Sequence, residues 1–133
     1  MNLSSALQLL PVTILYGSLS VLVTLFLAVN ISLHRMRHRV FVADALPQEL
    51  HRKVRAHGNS AEYLAVTVFL LAFLELQHVD TFWLHVCGGI VVVSRVVHSL
   101  SMLFKLRVST ISATVTYAVS FFMAFWSLFL RLR

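Results

Sequence analysis

The stretch Leu9–Leu33, LLPVTILYGSLSVLVTLFLAVNISL, contains no Asp, Glu, Lys or Arg. As a helix rising 1.5 Å per residue it is about 37 Å long, more than the roughly 30 Å hydrocarbon core of a bilayer, so it predicts a tilted membrane span. No basic residue precedes it and no small-residue cleavage signal follows it, which argues for a retained span rather than a removed leader. A second apolar run, Ala61–Leu76, is short and carries Glu62 and Glu75 near its ends. Pro47, suited to a first helical position, and Glu49 in the first turn extend it upstream, so one helix is expected from Pro47 to Gln77, protruding from the membrane before entering it. Gly58, inside that helix, lacks a side chain where something can approach the backbone closely.

Asp80 and Thr81 offer N-caps for a third helix from Phe82 to Leu106, and Ser109 or Thr110 offers one for a fourth ending at Leu130. Short connections make consecutive helices antiparallel neighbours. The expected fold is all-α: one domain over residues 1–133, an integral membrane four-helix up-down bundle without internal repeats or linkers. Composition agrees. Apolar residues are 59% of the chain and charged residues 12%, where a soluble domain carries roughly 25% charged. The net charge of +6 does not indicate nucleic acid, because ten of the eleven Lys and Arg residues gather at the ends of apolar runs, where they set topology and meet anionic headgroups. The single cysteine, Cys87, lies in an apolar run and is read as a packing residue.

Arg35, Arg37, Arg39, Arg52, Lys53 and Arg55 fall between the first two spans, and Lys105 and Arg107 between the last two, whereas the other side has only Arg131 and Arg133. The positive-inside rule then places both termini outside the cytoplasm, in the periplasm of a bacterium.

Ionisable groups within spans are costly and need a partner or a task. Arg95 and His98 lie at spacing i, i+3 on the third helix, with Met102 and Lys105 continuing the stripe, so this face should turn into the bundle or a subunit interface. On the second helix Arg55, Asn59 and Glu62 fall at i, i+4 and i+7, within about 60° around the axis. The plain structural reading pairs Arg95 with Glu62 or another carboxylate and treats the second stripe as an ordinary amphipathic boundary. The functional reading combines both stripes into a pocket for a zwitterionic ligand: guanidinium groups fork to carboxylates, Glu62 receives an ammonium group, and aliphatic walls admit an apolar co-substrate from the bilayer.

The segment Arg55-Ala56-His57-Gly58-Asn59-Ser60-Ala61-Glu62-Tyr63 resembles the R-x-H-x-N-x-x-E signature of the MAPEG superfamily, membrane-associated proteins in eicosanoid and glutathione metabolism, and particularly the R-x-H-G-N-x-x-E-Y form of its small bacterial members. Arg95-Val96-Val97-His98 with Lys105-Leu106-Arg107 looks like the family's third-helix segment, and Arg35-Met36-Arg37 like its basic end of helix one. The resemblance implies a homotrimer in the inner membrane with glutathione held between subunits near the cytoplasmic side. It implies Arg35, Arg55, Asn59, Glu62, Arg95 and His98 as glutathione contacts, and a transferase or peroxidase acting on lipophilic electrophiles. The chain departs from the pattern where the thiol is activated. Ile111 stands where thiol-transferring members place an arginine, and Met102 where an aromatic is expected. No catalytic residue is therefore assigned; Arg107, Ser109, Ser112 and Tyr117 are the substitutes within reach of that end. Binding without efficient turnover, or a scaffold role, is the alternative function.

A haem cytochrome using His57 and His98 is disfavoured because most histidines, including His34, His38 and His51, sit at the basic boundary. No carboxylate in the first helix is available to couple protons, as a small multidrug transporter would require. Cys and His residues lack zinc-ligand spacing, so no metal is expected, and serine-nucleophile, phosphate-loop and dinucleotide motifs are absent.

Overall fold

The computed structural model describes residues 10–40 and 47–133. Over these residues the chain forms four helices and no strand: α1 Pro11–His38, α2 Gln48–Leu76, α3 Thr81–Phe104 and α4 Ser109–Leu132. Each is long and apolar enough to cross a membrane. The chain is an all-α integral membrane protein.

The helix ends follow from identifiable groups. Pro11 occupies the first position of α1, where its missing N–H is no loss. The next two N–H groups, of Val12 and Thr13, donate to the two carboxylate oxygens of Glu75 at 2.8 and 2.7 Å. Glu75 is buried in the last turn of α2, so an anion there both caps α1 and complements its dipole. At its other end α1 runs to His38, five residues beyond Leu33, and closes on Arg39 in the left-handed conformation, φ 52°. Pro47 is the N-cap of α2 and not its first helical residue: its ψ of 142° is extended, while its carbonyl accepts from His51 N–H at 2.9 Å. Asp80 caps α3 as expected, accepting from Phe82 N–H at 2.9 Å. That helix stops at Phe104 rather than Leu106, because Lys105 turns left-handed and Leu106 N–H returns to the Ser101 carbonyl at 2.9 Å. Neither Ser109 nor Thr110 caps α4. Val108 holds that position, and Ser109 is instead drawn to α3.

α2 and α3 form the middle of the bundle, and α1 and α4 lie on opposite flanks of them. Val12, Leu71, Leu74, Leu84, Cys87, Val91, Val119 and Met123 make the apolar core at the end of the bundle that holds the N-terminus of α1 and the C-terminus of α4. Here the Tyr16 ring rests on Gly88, where a Cβ would lie 2.3 Å from Tyr16 Cδ2, and Tyr16 Oη is 3.1 Å from His85 Nδ1. Small polar pairs join helices deeper in: Thr24 Oγ1 with Ser60 Oγ at 3.1 Å and Ser94 Oγ with Thr116 Oγ1 at 3.0 Å. Large apolar side chains such as Phe69, Phe121 and Phe125 point outward, as suits a protein solvated by lipid tails. At Gly58 an added Cβ would meet nothing within 4 Å among the described residues, so the close approach expected there is not made among them.

Candidate functional site

The charged stripe of α3 turns inward. Arg95 is only 3% exposed and His98 is buried beside it along the helix. Arg95 Nη2 donates to Asn59 Oδ1 on α2, and its guanidinium carbon stands 5.2 Å from the centre of the Tyr63 ring, a cation–π distance. Tyr63 in turn meets Tyr117 of α4, ring centres 5.3 Å apart. Three helices therefore converge on one guanidinium. The expected Arg95–Glu62 ion pair is not formed: Glu62 is exposed, and the ion pairs among the described residues both involve Glu49. The cause is rotational, since Asn59 and Tyr63, at i and i+4, share the α2 face that meets α3, and Glu62 stands beside that face. Arg95 Nε and Nη1 are buried and have no hydrogen-bond partner among the described residues.

His98 is held from the other side. Its Nδ1 donates to the Ser109 carbonyl at 3.0 Å and lies 3.3 Å from Ser112 Oγ, which itself donates to the carbonyls of Val108 and Ser109. The α3–α4 turn thus fixes the ring and leaves Nε2 as its free nitrogen. Arg55 and Glu62 are both exposed on α2, on either side of half-buried Asn59. Arg35 lies in the last turn of α1, with its Nε buried and unpartnered. Of the six residues expected to contact a ligand, the fold brings Arg95 and Asn59 into direct contact. Arg55 and Glu62 lie on the same side of α2 as Asn59, His98 is held by the α3–α4 turn, and Arg35 stands apart at the end of α1.

Tyr63 escaped assignment as a site residue, although its spacing of i+4 from Asn59 was the signal that it shares that face. Ile111 is 66% exposed in an apolar groove of about 560 Å³ between α3 and α4, with Ile90, Val93, Val97 and Val115. Ser94 and Ser112 line the same groove and connect it to Thr116 and His98. Among the described residues no group of three or more His, Cys, Asp or Glu side chains is placed to hold a metal.

Four membrane helices around a buried arginine, with an R-x-H-x-N-x-x-E segment on the second, define a particular class. The MAPEG family model matches residues 13–129. The chain is 33% identical over 106 residues to the inner membrane protein YecN of Escherichia coli K12, covering 77% of this chain and 81% of that one, and it matches the YecN of Escherichia coli O6:H1 equally. The chain belongs to the MAPEG family.

Proposed function

We propose that this protein binds glutathione at the cytoplasmic side of a bacterial inner membrane, as a homotrimer, and joins it through its sulfur to lipophilic electrophiles. The observation that carries the reading is Arg95: a buried guanidinium with two nitrogens that have no hydrogen-bond partner, and no carboxylate partner, among the described residues. A cation left so in a membrane bundle calls for an anion from outside the chain. A glutathione carboxylate supplies it in fork geometry. Arg55 lies one turn from Asn59 and Glu62 less than one turn on the other side, so the same helix face offers a cation for the second carboxylate and an anion for the ammonium. The apolar groove beside Ile111 takes the co-substrate from the bilayer. In the transfer step the thiol loses its proton to water, the thiolate sulfur forms a bond to the electrophilic carbon, and the leaving group departs with the electron pair of the broken bond.

One observation favours binding without efficient turnover. The groove wall at Ile111 is aliphatic, so this chain has no cation there to favour the thiolate. Activity toward an electrophilic aryl halide, measured for the parent and for Ile111→Arg, separates the two readings. A parent rate above the solution reaction supports transfer; a rate that appears only with Ile111→Arg supports binding alone; no glutathione binding by either rejects both.

A further inference from the structure

A strip on the opposite flank of the bundle from Ile111 has the outline of a lipid. Between α1 and α3 runs an apolar groove of about 330 Å³ lined by Leu22, Phe26, Val96, Ser99, Leu100 and Leu103. At Leu103 it meets a second, polar recess of about 300 Å³ formed by Asn30, Glu49, Arg52, Lys53, Leu103 and Phe104. α1 and α3 run in the same direction, so the paired advances from Leu22 to Asn30 and from Val96 to Phe104 each cover about 12 Å from the membrane interior to its basic boundary. The recess is roofed by the protruding start of α2.

Polar atoms without partners mark the strip at three depths. Ser99 is 2% exposed, and its Oγ makes no hydrogen bond, unlike Ser101, which donates to the Val97 carbonyl at 2.6 Å. Asn30 Oδ1 and Arg52 Nε are likewise buried and unpartnered. Glu49 is already engaged, with Lys53 Nζ at 3.0 Å and His34 Nδ1 at 3.4 Å, whereas Arg52 has no carboxylate within 4 Å among the described residues. The recess is thus a site for one negative charge lying above a slot for a hydrocarbon chain.

We propose that the α1–α3 strip binds an anionic glycerophospholipid of the phosphatidylglycerol type. Arg52 takes the phosphate, a headgroup hydroxyl donates to Asn30 Oδ1, and one acyl chain continues below the Ser99 level toward Leu22 and Val96. The Ser99 hydroxyl, about 6 Å deeper than Leu103, donates to an ester carbonyl, which in such a lipid sits below the phosphate by a similar distance. This inference does not depend on glutathione binding.

Native mass spectrometry of the full-length protein, released from detergent with equal amounts of phosphatidylglycerol and phosphatidylcholine of identical chains, tests it. The parent should retain phosphatidylglycerol about tenfold better, because both lipids carry the phosphate but phosphatidylcholine brings a second cation beside Arg52 and Lys53 and has no headgroup hydroxyl for Asn30. Arg52→Gln should abolish that preference and Arg52→Lys should keep much of it. Leu100→Trp, which fills the slot, should reduce retention of both lipids. Equal retention of the two lipids by the parent overturns the proposal whether or not any variant folds. Displacement of the lipid by millimolar inorganic phosphate marks a free-phosphate site, and loss of oligomer without loss of lipid in Leu100→Trp marks an interface between copies; either result also overturns it.

Discussion

Arg95 is buried and in contact with an amide oxygen and a tyrosine face, neither of which carries a full negative charge. Losing the Asn59 carbonyl should therefore be felt as stability. Asn59→Leu is expected to cost about 1.5–3 kcal/mol, the range for a hydrogen bond to a charged group, read as a lower thermal midpoint in detergent. Glu62 gives the opposite pattern, because it is exposed and makes no hydrogen bond or ion pair among the described residues. Glu62→Gln should leave the midpoint nearly unchanged, within about 0.5 kcal/mol, and weaken glutathione binding ten- to a hundredfold, about 1.5–3 kcal/mol. A matching fall in stability would make Glu62 a structural residue. Depth and helical spacing sufficed to single out Arg95, Asn59 and Glu62 from the sequence. Which of the latter two meets Arg95 depends on how α2 is rotated against α3, and spacing along one helix does not fix that. The anchoring of His98 by the Ser109 carbonyl was hidden for a similar reason: backbone groups carry no sequence signature.

The four helices themselves were legible, because three of the apolar runs exceed the bilayer thickness and the short one, Ala61–Leu76, gains its length from the polar helix start upstream of it. Their ends were less so. Asp80 acts through its own side chain on a residue two positions away, and local sequence reveals that. Glu75 acts on a helix sixty-three residues earlier in the chain, through Val12 N–H, and no local pattern does. Its two bonds predict that Glu75→Gln destabilises the protein by about 1.5–3 kcal/mol, since the amide keeps one acceptor and loses the charge facing the α1 dipole. Gly88→Leu should act on the same end of the bundle by overpacking against Tyr16, at about 1–3 kcal/mol, because a rigid ring and not a flexible side-chain tip occupies the space. Thermal unfolding followed by circular dichroism checks both; unchanged midpoints would mean that α1 is held by its lipid-facing surface alone.

For the molecule in its membrane, eight Lys and Arg residues at one end of the spans against two at the other predict periplasmic termini. C-terminal fusions should give periplasmic phosphatase activity and no cytoplasmic fluorescence; the reverse would move the site to the other side of the membrane. The proposed trimer would bring neighbouring copies against the same residues, since Arg55 and Glu62 are exposed and Gly58 has an open face between them among the described residues. Native mass spectrometry is expected to show three chains. A monomer that still binds glutathione would place the site within one subunit. The most direct measurement is a calorimetric titration of the detergent-solubilised oligomer with glutathione, run in parallel on Glu62→Gln and Arg55→Lys. Saturable binding to the parent is predicted, about ten- to a hundredfold weaker in Glu62→Gln and weaker again in Arg55→Lys, whose ammonium keeps the charge but loses the fork. Equal affinity in all three proteins, with the oligomer intact, would contradict the site and the enzyme reading built on it.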